Sequence, residues 1–264
     1  MLRLAIDVGN THTVLGVFRK EKLLTDWRIA STTERTEDET WLSLQLFCSH
    51  AKISPKDMRG VVISSVVPNL TGIYSMMAEK YLKAKPVIVS AALRLGIKVL
   101  YQDPMAVGAD RLCNAVAAYT KFGGPAIVID FGTATTYDVI SKKGEYMGGV
   151  IAPGVETASA ELHRRAAKLP RIELQLPKNV IGSNTVESMQ SGILYGAVDA
   201  MEGMVKRIRN VIGKDARVIA TGGYAKIIAS QSPTVQHVEP ALVLEGARLI
   251  YERVSAKKRR IHRF

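Results

Sequence analysis

Cysteine is almost missing from this chain. Cys48 and Cys113 are the only two among 264 residues, which excludes a disulfide framework and a cysteine-based zinc site. Both fall in segments with helical patterning and read as buried thiols. Histidine is scarce as well: His12, His50, His163, His237 and His262 form no HExxH pair, so nothing points to a transition-metal enzyme. Aromatic residues make up 6% of the chain and are not interleaved with its basic residues. Helix-turn-helix and zinc-finger signatures are also absent, which ranks nucleic acid last among partners. No window approaches roughly 18 uninterrupted apolar residues, and the first residues lack the basic region and long apolar stretch of a signal peptide. A soluble, cytoplasmic protein without membrane association is expected. Two phosphate signatures are missing too, the GxxxxGK[ST] loop and a GxGxxG that opens a helix after a strand.

Acids are outnumbered by bases, 24 to 36, for a net charge of +12. Five of those charges (Lys257, Lys258, Arg259, Arg260 and Arg263) lie in the closing "KKRRIHRF", and the remaining +7 is spread along the chain. A terminal basic tract of this kind reads as a solvated tail, and the distributed charge is compatible with a phosphate-bearing ligand.

What is present is a core and a repeated plan. With 47% hydrophobic residues, the chain can bury a sizeable interior in two modest domains or one large one. "LRLAIDVGNTHTVLGVF" runs apolar to Asp7, turns on Gly9 and resumes as a second apolar strand; "LLTDWRIA" supplies a third. The acidic opening of "EDETWLSLQLFCSH" suits the positive end of a helix dipole. Strand "GVVISSVV", helix "NLTGIYSMMAEKYLK", strand "PVIVS" and helix "ADRLCNAVAAYTKF" complete the first half. The second half begins again with "AIVIDFGTATTYDVI", where Asp130 and Gly132 take the places of Asp7 and Gly9. It continues through "EYMGGVIA", the helix "VETASAELHRRAAKL", a long helix from about Glu187 to Ile212, and further strands and helices. Each half reads βββαβαβα, so the fold class is α/β with two copies of one domain and a ligand cleft between them. The expected domains are residues 1–118 and 119–255, meeting near "KFGGP", with 256–264 as a disordered basic tail. Gly192, Gly196 and Gly203 on the long helix suggest a close helix contact, either within the chain or between two subunits.

An acid ending a buried strand needs a cation or donors, because an unpaired charge there is costly. Glycine two residues on frees backbone N–H groups; Asn10, Thr11 and Thr13 in one copy, and Thr133, Thr135 and Thr136 in the other, add short donors. Either turn alone is ordinary hairpin chemistry. Two at corresponding places form a clamp for a polyphosphate, with the acids on a hard metal ion directly or through water. "VIATGGYA" adds a glycine-rich strand-to-helix turn. "VGADR" places Asp110 and Arg111 at a helix start; Asp110 suits a cap or first-turn position, but the Arg111 cation opposes the dipole. An adjacent base and cation suit phosphoryl transfer.

Taken in order, "DVGNTHTVLGVF", "GADR", "DFGTATT", "GGVIAPGV", "GSNT" and "ATGGYA" resemble type III pantothenate kinase, a branch of the actin, sugar kinase and heat-shock ATPase superfamily. The resemblance implies duplicated RNase H-like (actin-like) domains and ATP-dependent phosphorylation of pantothenate to phosphopantothenate, the first step of coenzyme A biosynthesis. It implies that Asp7, Val8, Gly9, Asn10, Thr11, His12, Thr13 and Val14 form the first ATP phosphate loop, with Thr133 also contacting ATP and a divalent metal, Mg2+, at Asp7. It further implies that Asp110 is the proton acceptor and that Tyr101, Gly108, Ala109, Asp110, Arg111 and Thr185 contact pantothenate. Asp130 would hold a monovalent cation, K+ or NH4+, and the protein would be a homodimer. "EPALVLEG" departs from the family's usual leucine-rich run, and the basic tail is not a family feature. Two alternatives remain beside this reading. One is a kinase of the same superfamily acting on a sugar or acetate; the other is a non-enzymatic accessory factor in transcription that binds nucleotide or nucleic acid.

Overall fold

Alternating and continuous apolar runs make the opening hairpin of the computed structural model, which describes residues 1–261. Strand β1 (Leu2–Val8) pairs antiparallel with β2 (His12–Arg19), which pairs antiparallel with β3 (Lys22–Ala30). Helix α1 (Glu37–His50) follows, and Thr36 and Glu39 close a capping box at its start. A cap of this kind contributes about 1 kcal/mol. Strand β4 (Met58–Ser65) returns parallel to β1; then come α2 (Pro68–Tyr81), the short strands β5 (Val87–Ile88) and β6 (Lys98–Val99), and α3 (Ala109–Phe122). This sheet is ordered β3-β2-β1-β4-β5. β1 and β4 are buried almost throughout, as a sheet covered by helices requires. Leu4, Ile6, Val17, Leu44, Ile63, Leu70 and Met77 meet in its core.

The same order starts again with β7 (Ala126–Phe131), β8 (Ala134–Ile140) and β9 (Glu145–Pro153), each antiparallel to the next. Helices α4 (Val155–Arg165) and α5 (Thr185–Ile212) precede β10 (Arg217–Thr221), which lies parallel to β7 just as β4 lies parallel to β1. Helix α6 (Ala225–Ala229) and β11 (His237–Val238) follow, and the strands of this unit are ordered β11-β10-β7-β8-β9. One face of α5 supplies Met189, Ile193, Leu194, Val198, Met201 and Val205 to the second core. The duplicated βββαβα plan is therefore present, with mixed parallel and antiparallel pairing in both sheets.

The chain divides into Met1–Ala117 with Leu242 onward, and Ala118–Ala241. The division after Ala117, inside α3, falls one residue from the expected 118/119 boundary. The place of the last helix differs from the sequence reading. The closing helix α7 (Leu242–Ile261) belongs with the first unit rather than with a 119–255 half, because it packs on β1 and β4. Its buried stripe of Leu242, Leu244, Ala247 and Ile250 needs an apolar sheet face, and that sheet provides one. The backbone of 256–261 continues α7 where a disordered tail was expected, and residues 262–264 lie outside those described. "PVIVS" and "TVQHVE" shrink to two-residue strands, β5 and β11.

Candidate active site

The turn between β1 and β2 is closed by the Gly9 N–H donating to the His12 carbonyl at 3.0 Å. Asn10, Thr11 and His12 are exposed, and Gly9 and Val14 are half-buried. Val8 and Thr13 are fully buried. The Thr13 hydroxyl shares a 2.9 Å hydrogen bond with Ser31 and a second one with Tyr74, so it points into the fold rather than out toward a ligand. Outward donors on this loop are therefore Asn10, Thr11 and backbone N–H groups. Ser31, just beyond β3, staples both sides of the loop: its hydroxyl donates to the Gly9 carbonyl at 2.7 Å and its N–H to the Thr11 carbonyl at 3.0 Å. Sequence reasoning missed Ser31, since a serine after a strand carries no signal until the register of β2 and β3 is known.

Asp7 is half-buried one residue before the end of β1. Its register partner on the parallel strand is Ser64, fully buried, whose hydroxyl donates to Asp7 Oδ1 at 2.9 Å. The reading of "GVVISSVV" as a plain buried strand passed over this residue.

Asp110 is the second residue of α3, and the Arg111 N–H donates to its Oδ1 at 2.8 Å. Burial pushes the Asp110 carboxyl above the ordinary carboxylate range, while that hydrogen bond and the Arg111 charge pull the other way. Arg111 itself is buried, at 8% exposure. A Cβ on Gly108 would stand 2.5 Å from Asp110 Oδ1, so glycine here leaves the Asp110 carboxylate its present position. One turn along α3, the Cys113 thiol is fully buried. Burial raises its pKa, the Asp7 and Asp110 charges raise it further, and a hydrogen bond with Ser64 opposes them. Both acids therefore bear on one sulfur, and the fold has brought residues 7, 64, 110 and 113 into one neighbourhood. Ala109 is buried, and Tyr101 is 38% exposed on the segment leading to α3.

In the second unit Asp130 is half-buried and faces Thr136 on β8 and Thr221 on β10 in register. Each strand-end acid thus has a hydroxyl residue beside it on the parallel strand, Ser64 for Asp7 and Thr221 for Asp130. Gly222 has φ +92°, and a side chain there would collide with Asp130 Oδ1 and the Phe131 backbone. This gives "ATGGYA" a cause beyond turn chemistry. Thr133 is exposed, with its carbonyl held by the Gly154 N–H at 3.1 Å and the Thr157 hydroxyl at 2.6 Å. "GGVIAPGV" thereby braces the second loop.

Thr185 opens α5, and Asn184 caps that helix by accepting from the Glu187 N–H at 3.0 Å. "GSNT" is thus a helix start. Thr185 lines a largely apolar cavity of about 1040 Å³ between α4 and α5, walled by Val155, Leu162, Met189 and Ile193. It belongs to the other unit from Tyr101 and Gly108–Arg111. Gly192, Gly196 and Gly203 are exposed, and a Cβ on any of them would meet nothing within 4 Å.

No group of three or more metal-ligating side chains occurs among the described residues. A single carboxylate in an oxygen-rich turn, as at Asp7, suits Mg2+, which takes one or two carboxylates and fills its shell with water and phosphate oxygens. No helix among the described residues is long and apolar enough to cross a membrane.

A family model described as type III pantothenate kinase matches residues 3–207. A protein of Halalkalibacterium halodurans named type III pantothenate kinase is 47% identical over 250 residues, spanning 95% of this chain and 98% of its own length. Among solved structures, the activator of the 2-hydroxyisocaproyl-CoA dehydratase from Clostridium difficile, with bound ADPNP, aligns with TM-score 0.57 at 14% identity and covers 98% of both chains. A Campylobacter jejuni protein assigned to the Baf family of transcriptional activators aligns with TM-score 0.60 at 17% identity, covering 94% of this chain and 97% of its own. At these identities the two structures show a shared fold and nothing about activity.

Proposed function

The chain belongs to the type III pantothenate kinase family, and on that premise we propose how its residues carry the phosphoryl group of ATP to the primary hydroxyl of pantothenate, the first step of coenzyme A biosynthesis. Asp110 accepts the hydroxyl proton as the pantothenate oxygen takes the γ-phosphoryl group and ADP leaves. What supports this is a buried carboxylate at the start of α3, in the same unit as the Asp7 turn, with the charges of both acids raising the pKa of the Cys113 thiol. A base within that reach of the phosphate loop fits phosphoryl transfer, which depends chiefly on positioning and charge.

The loop from Asp7 to Val14 holds ATP phosphates through Asn10, Thr11 and its backbone N–H groups, with Thr133 a further ATP contact. Asp7 holds the divalent ion, directly or through water; when bound, that ion neutralises phosphate charge that no lysine of this loop can offset. Asp130, set among hydroxyls and two glycines, holds the monovalent cation, K+ or NH4+. Tyr101, Gly108, Ala109, Arg111 and Thr185 contact pantothenate, the Arg111 guanidinium offering a cation to its carboxylate. Gly196 and Gly203 on α5, exposed and with nothing within 4 Å of an added Cβ among the described residues, support a homodimer over packing within the chain. ATP as the phosphoryl donor fits a cytoplasmic protein. Neither a sugar or acetate acceptor nor a role in transcription is favoured by any observation on this chain.

The test is Asp110→Asn. Asparagine keeps the size of the side chain and an oxygen able to accept from the Arg111 N–H, so fold and ATP affinity should survive. Turnover of pantothenate in a coupled assay should fall about 10²- to 10⁴-fold, the usual worth of a positioned base. Near-normal turnover would remove Asp110 from the role.

A further inference from the structure

We propose that Ser64 is a positioning residue for the metal and phosphate chemistry of Asp7, aiming that carboxylate from the neighbouring strand. The proposal rests on the reading of Asp7 as the acid that holds the divalent ion.

Ser64 stands opposite Asp7 in the parallel register of β1 and β4, and neither strand can slide without moving every core residue to the wrong face. Its hydroxyl has one proton, and the 2.9 Å contact assigns that proton to Asp7 Oδ1, since an ionised carboxylate only accepts. That bond anchors Asp7 Oδ1 from the neighbouring strand and so fixes the orientation of the carboxylate. The buried Cys113 thiol lies in the same neighbourhood, where Ser64 lowers its pKa against the effect of burial. Ser64 is fully buried, so it does not meet the ligand itself. A hydroxyl buried at a strand end, with its proton committed to a catalytic-site acid, orients that acid as an outer partner orients a metal ligand.

The experiment measures ATP binding by calorimetry, with and without Mg2+, for the wild type, Ser64→Ala, Ser64→Cys and Asp7→Asn, beside steady-state kinetics. The expected result is that Ser64→Ala lowers ATP affinity by about 10-fold in Mg2+. It should leave affinity without Mg2+ and the KM for pantothenate unchanged. Ser64→Cys, which keeps the volume and weakens the donor, should give a smaller loss, and it reads the same quantity if the alanine variant does not fold. Equal losses with and without Mg2+ would make Ser64 a merely structural residue and overturn the proposal. An intact Mg2+ effect in both serine variants, with that effect abolished in Asp7→Asn, would also overturn it while sparing Asp7. An intact effect in all three would overturn the role of Asp7 and that of Ser64 with it.

Discussion

Asp110 carries a consequence for pH. Burial raises its pKa in the folded state, so the native protein binds that proton more tightly than the unfolded chain does. The stability this confers is fully present below the ordinary aspartate value and is lost as pH rises through the raised one. At neutral pH the ionised carboxylate is therefore held at a cost, which the neutral amide of Asp110→Asn does not incur. The melting temperature of that variant at pH 7 should equal or exceed the wild type's, even as turnover collapses. The base must also be ionised to accept a proton, so wild-type kcat/KM should fall on an acid limb set above the ordinary aspartate range, and the residual activity of Asp110→Asn should lack that limb. A pH–rate profile paired with thermal melts checks both, and an identical limb in the two proteins would exclude Asp110 as its source.

At the scale of elements, α5 is the helix whose two faces differ most. Its apolar face fills the second core, whereas Gly192, Gly196 and Gly203 stand on open ground. Glycine inside a helix costs up to about 1 kcal/mol relative to better helix formers, so Gly196→Leu should not weaken the helix, and a Cβ at this exposed position meets nothing within 4 Å among the described residues. Loss of association in Gly196→Leu would therefore report on a partner surface rather than on misfolding. We expect it to shift the protein from dimer to monomer in sedimentation at assay concentration and to raise the KM for pantothenate, because Thr185 opens the same helix. A Gly196→Leu protein that stays dimeric with normal kinetics would place the interface elsewhere.

For the whole molecule, the two units repeat one plan but differ in what surrounds the acid. Asp7 has Ser64 and the Cys113 thiol near it; Asp130 has Thr136, Thr221 and the close approach of Gly222. That difference suits a division of labour between a divalent and a monovalent cation. Replacing potassium or ammonium by sodium should reduce turnover, with Asp130→Asn insensitive to the exchange. Equal wild-type rates in sodium and potassium would remove the monovalent role from Asp130.

The chain's local chemistry was enough to show two copies of a strand, an acid-glycine turn and a second strand. Residues seven or fewer apart decide a hairpin, and period-two and period-three-and-a-half patterning survives without neighbours. Helix α1 was legible to its ends for the same reason, its cap and acidic first turn being local. "GADR" at a helix start was also visible, whereas "GSNT" was not read as one, the long helix being expected from about Glu187. What tertiary structure alone decided is whom these groups meet. Ser64 reaches Asp7 only because β4 returns parallel to β1 across an intervening helix, and Cys113 joins them only because α3 settles beside that pair. Thr13, written as a phosphate donor by its place in the loop, was turned inward by Ser31 and Tyr74. The closing helix could be read as amphipathic but not assigned to a sheet, because an apolar stripe specifies that it must be covered and not by what.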